Sequence, residues 1–188
     1  MIKKRGITLI ELLITISLIG LILIVTTSVY LTGFRTYKEQ LTSSIVQSNA
    51  QTILDALVLD AKNGLLIEAT YGSFTTGPDC IIIQVPSIDA SKNILYSGSD
   101  ELFDRVIYYY QNNQIHKITY ADPSSVRHSK DGIDTTLDKN VLSLSFVYDP
   151  PDEGAAHLVK ITLSSDIKVG NRDKEITITG EARLRNHI

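Results

Sequence analysis

Leu12 to Phe34 is a run of 23 residues without a charged side chain, dense in Leu, Ile and Val. As a helix rising about 1.5 Å per residue, it is long enough to cross a hydrocarbon layer about 30 Å thick. Lys3, Lys4 and Arg5 precede it, and basic residues on that side predict a cytoplasmic N-terminus. The chain from Arg35 onward is then expected outside that membrane. The whole chain of 188 residues holds 18 basic and 21 acidic groups; setting aside Lys3, Lys4, Arg5 and Glu11 leaves 15 and 20. A net charge of −3 argues against a protein that holds nucleic acid by neutralising phosphates, so no direct nucleic-acid binding is expected.

Glu11 is the one charged residue between Ile7 and Phe34. A secretory signal peptide has a shorter apolar run and a small-residue cleavage site, and no clear A-x-A site follows here. A plain signal anchor fits the length. It leaves Glu11 unexplained, because a lone carboxylate in an apolar layer is costly and usually functional.

The segment Gly6-Ile7-Thr8-Leu9-Ile10-Glu11-Leu12-Leu13, behind its basic leader, closely resembles the class III signal of type IV pilins and type II secretion pseudopilins. The resemblance implies that a membrane aspartic prepilin peptidase cuts between Gly6 and Ile7 and methylates Ile7. It makes Glu11 the acidic residue that sets register during assembly. Phenylalanine is commonest where this chain has Ile7, which alters the new end without making it polar. After cleavage Ile7 carries an ammonium, protonated at neutral pH. Glu11 lies one helical turn away, within reach of its own Ile7 amine or of a neighbouring subunit's. Either pair lowers the cost of two charges in apolar surroundings. Only the second encodes a register between subunits, and the resemblance favours it.

The helix is expected to continue past the membrane. Residues 35–63 contain neither Pro nor Gly, and Asn63-Gly64 supplies a stop. Leu41, Ile45, Ile53, Leu54, Leu57, Val58 and Ala61 recur at helical spacings as one apolar stripe, with Lys38, Glu39, Gln47, Gln51 and Asp55 opposite. Gly20, Gly33 and the small residues Thr26, Thr27 and Ser28 are the expected weak points. Many pilins have a proline in that region; this chain has Ser28.

Beyond Gly64 the period becomes two. Cys80 to Val85 is a short β-branched run. Phe103–Tyr110 and Gln114–Tyr120 flank Gln111-Asn112-Asn113, a tight hairpin turn. In Val141–Tyr148, Leu142, Leu144, Phe146 and Tyr148 alternate with Ser143 and Ser145. Leu158–Val169 and Glu175–Leu184 flank Gly170-Asn171-Arg172-Asp173, a second hairpin. Ile176, Ile178, Ala182 and Leu184 share one face of the last strand, and Thr177, Thr179, Glu181 and Arg183 the other. A sheet with one apolar face needs a cover, and the amphipathic half of the long helix supplies one. The expected class is α+β: the pilin fold, one long N-terminal helix packed on an antiparallel sheet. The domain reading is a leader at 1–6, a membrane or filament-core helix at 7–34, its amphipathic continuation at 35–63 and a sheet head at 64–188.

Ile53 to Asn63 resembles the late-helix segment of minor pilins of the PilW and type II secretion J-pseudopilin kind. Gly180 to Asn186 resembles their terminal strand. These resemblances imply a minor pilin or pseudopilin that starts, caps or decorates a filament. The implied partners are prepilin peptidase, other major and minor pilins, a membrane assembly platform protein and membrane lipid. The implied location is the cytoplasmic membrane, with the head extracytoplasmic, and then a filament. Pilus, competence and type II secretion machines all use such subunits. A signal-anchored binding protein that never polymerises is the alternative.

Nothing in the head invites a catalytic reading, and no cofactor or metal site is expected. His116, His128, His157 and His187 form no HxxxH or HExxH pattern. Cys80, the single cysteine, excludes an intrachain disulfide and reads as a small buried hydrophobe. Asp131, Asp134 and Asp138, and Asp149, Asp152 and Glu153 around Pro150-Pro151, offer oxygen ligands without the EF-hand spacing, and read as solvated loop charges. Alternation turns at least one of Tyr108, Tyr109 and Tyr110 into the core.

Overall fold

A computed structural model describes residues 8–97, 100–138, 141–151, 156–169 and 172–185. The chain divides into two compact units, Met1–Ser43 and Ser44–Ile188. One helix, α1 (Leu9–Asn63), runs through the first and into the second.

In the N-terminal unit every described residue from 8 to 42 except Gly20 is exposed. The helix is unbroken at Gly20, at Thr26-Thr27-Ser28 and at Gly33, so the expected weak points do not interrupt it. Hydroxyls along this stretch bond back onto the helix. Thr26 donates to the Ile22 carbonyl at 2.8 Å, Thr32 to Ser28 at 2.9 Å and Thr36 to Thr32 at 3.1 Å. Each hydroxyl thus finds its partner on its own helix, four residues back, a contact that the continuous helix accommodates.

In the second unit the strands, in chain order, are β1 (Leu66–Ile67), β2 (Thr70–Tyr71), β3 (Phe74–Thr75), β4 (Cys80–Pro86), β5 (Tyr96–Ser97), β6 (Asp100–Glu101), β7 (Phe103–Gln111), β8 (Gln114–Tyr120), β9 (Thr135–Asp138), β10 (Val141–Asp149), β11 (Leu158–Val169) and β12 (Arg172–Arg183). A 3-10 turn, Val126–Lys130, lies between β8 and β9. Among the described residues the larger sheets have the orders β1-β4-β7-β8-β9 and β10-β11-β12, and all their pairings are antiparallel. Two short hairpins, β2-β3 and β5-β6, complete the set. The architecture is therefore α+β and pilin-like, a long N-terminal apolar helix packed against antiparallel sheets. The strands divide into two main ladders where a single sheet was expected.

Helix residues Ala50, Ile53, Leu54, Leu57 and Ala61 are buried on one face and share a core with both ladders. That core takes Ile81 and Ile83 from β4, Val106 and Tyr108 from β7, Leu144 and Phe146 from β10, and Val159, Ile161 and Leu163 from β11. Every second residue of each strand is used, as the pleat requires. Two glycines let elements approach. A Cβ on Gly180 of β12 would stand 2.9 Å from Val58 Cγ2, and one on Gly64 2.6 Å from Ile83 Cγ2. Gln111 pairs with Gln114, and Asn112 and Asn113 have φ of 52° and 61°, a two-residue turn of the kind that suits hairpin twist.

Three details depart from the sequence reading. Leu41 and Ile45 are exposed, so the buried helical stripe begins at Ala50. Leu142 is exposed and Val141 buried, because a register shift between Val141 and Ser143 reverses the alternation at the head of β10. The last strand begins at Arg172, which pairs with Val169, leaving the expected turn residues Gly170 and Asn171 outside the described residues. On the far side of the five-stranded sheet, Ile82, Ile107 and Ile118 lie abreast on β4, β7 and β8 and are also buried. The expectation of a sheet with one apolar face had no place for them.

Candidate functional site

Gly6 and Ile7 lie outside the described residues. The first described residue is Thr8, which caps α1. The Thr8 backbone N–H and hydroxyl each lie 3.3 Å from Glu11 Oε2, and the Glu11 N–H donates to Thr8 Oγ1 at 3.3 Å. This is a capping box: a Thr at the cap and a Glu three residues on each satisfy a backbone N–H of the other. The signal for it, Thr-x-x-Glu ahead of an apolar run, is visible in the sequence, but a reading that gives Glu11 only a role in register overlooks it. The carboxylate at the start of the helix also complements the positive end of the helix dipole. Glu11 is exposed and held at the helix start by Thr8, so its carboxylate is positioned while still open to a cation.

The apolar surface behind Glu11 is bare. Ile24 is 73% exposed, and Leu12, Leu13, Ile14, Ile16, Leu18 and Leu21 are all more than half exposed. Among the described residues α1 is the helix long and apolar enough to cross a membrane, and none of that apolar window is buried within the chain. Ser17 donates to the Leu13 carbonyl at 2.9 Å and Thr15 to Glu11 at 2.8 Å, so these hydroxyls need no water.

In the second unit, Ser44–Ile188, called the head from here on, polar groups gather at three places. Asp60, on α1, accepts from the Tyr108 hydroxyl at 2.6 Å and from Lys117 Nζ at 2.7 Å. Burial raises the Tyr108 phenol far above its ordinary range, and the Asp60 charge adds to the effect. Asp104, fully buried, accepts from the Ser87 hydroxyl at 2.6 Å, the Ser125 hydroxyl at 2.6 Å, the Asp122 N–H at 3.0 Å and Arg127 Nη1 at 2.8 Å. Burial pushes this carboxyl upward, and the four hydrogen bonds together outweigh it and hold it below its ordinary value. The third group is Tyr109, whose hydroxyl donates to Asp134 at 2.8 Å and whose ring stacks on His116 at 4.8 Å. Burial, with the Asp134 bond, pushes the Tyr109 phenol up to about 12.

These groups are joined by structural contacts. His116 Nδ1 lies 3.1 Å from both Asp134 oxygens. Asp131 accepts from the Ala121 N–H at 2.8 Å, and Asp138 belongs to β9, so the three loop aspartates do not converge. Among the described residues no three His, Cys, Asp or Glu stand together as metal ligands. Asp152, Glu153 and His187 lie outside them. Cys80 is half-buried, where full burial was expected, and desolvation pushes its thiol up to about 11, which keeps it protonated and poorly nucleophilic at neutral pH. Of the three tyrosines, Tyr108 is the buried one.

No curated protein and no solved structure matches this chain. Residues 1–27 match the family model of the prokaryotic N-terminal methylation motif, which marks the N-terminus as that of a type IV pilin-like substrate of prepilin peptidase.

Proposed function

We propose that the chain is a non-catalytic minor pilin or pseudopilin that is assembled into a type IV pilus-like filament and helps to start or cap it. Prepilin peptidase cuts between Gly6 and Ile7 and methylates Ile7. Residues 7–34 then hold the subunit in the cytoplasmic membrane with residues 64–188 outside, until a platform protein lifts it into the filament. In the filament Glu11 pairs with the Ile7 ammonium of a neighbour and sets the register. One observation carries the reading: an apolar helical surface, unburied by its own chain, directly follows a methylation motif. Lipid covers that surface before assembly, and neighbouring helices cover it afterwards. The minor role rests on the likeness of residues 53–63 and 180–186 to minor pilins.

Mass analysis of the N-terminal peptide from membranes, with and without the host's prepilin peptidase, tests it. The expected peptide begins at Ile7, carries one methyl group and appears only with the peptidase. A Met1 start in both strains would sink the proposal and leave a signal-anchored binding protein. Glu11→Gln is expected to abolish incorporation into filaments while membrane levels and processing persist.

A further inference from the structure

A cavity of about 380 Å³ opens in the head between α1, the sheet strands β7, β8 and β9, and the 3-10 turn. Its size falls in the range of small-ligand sites. Acidic groups outnumber basic ones in the chain beyond residue 34, yet this cavity collects Lys117, Arg127 and Lys130 around a single carboxylate, Asp60. That carboxylate is already engaged, because Asp60 Oδ2 takes both the Tyr108 hydroxyl and Lys117.

Each cation keeps free donors. Lys117 gives one N–H to Asp60 and has two more. Arg127 uses Nη1, which donates to Pro86 O and Asp104 Oδ2, both at 2.8 Å, and this fixes the guanidinium plane at the cavity wall. Among the described residues Lys130 makes no ion pair. Val106, Ile133 and Leu137 supply the apolar part of the same lining, Val106 directly beside Thr119 in the β7–β8 pairing. A lining that combines anchored donors with hydrocarbon suits a ligand with a negative head and an apolar body.

We propose that this cavity binds a small organic oxyanion, a phosphate or carboxylate carried on an apolar group. Lys130 and the free donors of Lys117 and Arg127 hold the oxygens, and the Val106–Ile133–Leu137 wall takes the body. The site lies wholly in the head and does not depend on the assembly reading.

The test is an NMR titration of the full chain in a non-ionic detergent with phenyl phosphate, benzoate and inorganic phosphate. Saturable shifts are expected at the Thr119 and Thr135 amides. The better aromatic anion should bind about tenfold more tightly than inorganic phosphate, and the ranking of phenyl phosphate against benzoate identifies the head group. Lys130→Ala should weaken binding about fivefold, and Lys160→Ala, at an exposed position on β11, should leave it unchanged. Absence of saturable shifts with both aromatic anions overturns the proposal. So does equal affinity for inorganic phosphate, or equal weakening by the two lysine variants.

Discussion

In the N-terminal unit Thr15, Ser17, Thr26, Thr32, Thr36 and Thr42 each close onto a carbonyl four residues back. In the head Asp60 reaches Tyr108 and Lys117, 48 and 57 positions away, and Asp104 reaches Ser125 and Arg127, 21 and 23 positions away. The apolar groups follow the same division. The first unit leaves its large hydrophobics bare, whereas the head buries Leu57, Ile81 and Ile161 completely. A helix whose backbone bonds, and these six hydroxyls, are satisfied within the segment draws little on distant parts of the chain, and the chain itself leaves its apolar surface uncovered. A head built from distant pairs has no such independence, and each long-range anchor should be felt when it is cut.

The largest effect is expected at Asp104. Asp104→Ala strands the Arg127 guanidinium, two serine hydroxyls and the Asp122 N–H together. Breaking a buried charged network from one side costs about 3–5 kcal/mol, so the head's unfolding midpoint in urea should fall steeply. The pH dependence has a definite sign. The folded carboxyl sits below its ordinary value of about 3.9, so the stability it contributes is present above that pH and is lost as pH falls through the folded value. Asp104→Asn should flatten that acid limb. An unchanged limb would show that other carboxylates govern acid unfolding.

Paired truncations on the one helix sharpen the comparison. Leu57 is 0% exposed and Leu23 61% exposed. Leu57→Ala should destabilise the head by about 3 kcal/mol, mid-range for a buried leucine whose cavity cannot fully collapse. Leu23→Ala should change head unfolding by less than about 0.5 kcal/mol. Near-ultraviolet circular dichroism of the tyrosines, followed during denaturation of the full chain in mild detergent, reads both. Similar losses in the two variants would erase the distinction between the units.

That division also separates what could be read from the sequence from what could not. The uncharged run, the helix stop at Asn63-Gly64, the β7–β8 hairpin and the alternation in the last strand all depend on neighbours in sequence, and each was legible. The helical stripe was half legible: its period holds from Ile53 to Ala61, but period alone cannot tell a core face from a bare one at Leu41 and Ile45. Leu142 was misread because one extra residue in a strand reverses every side chain before it, and Val-Leu-Ser-Leu carries no mark of a bulge. The division into two ladders, the Asp60 clamp and the Asp104 network were invisible, since they arise from chain segments that meet only after folding. At the N-terminus the capping box was legible, because three residues separate its partners.

The most localised expected loss lies in that box and bears on whether the cap keeps the start of the N-terminal helix formed. Thr8→Ala removes the acceptor of the Glu11 N–H and one donor to its carboxylate, while the Thr8 backbone N–H bond can persist. Loss of a threonine cap costs about 1 kcal/mol, or roughly a fivefold drop in amide protection. The drop should be confined to the first turn, because a helix frays from its end and the later hydroxyl bonds remain in place. Thr8→Ser keeps the hydroxyl and should restore protection. Thr8→Ala also loosens Glu11 without neutralising it, so the variant separates two demands on one carboxylate. If filament incorporation survives Thr8→Ala but not Glu11→Gln, the charge is what assembly needs. If both abolish it while Thr8→Ser does not, assembly needs the charge held where the capping box puts it.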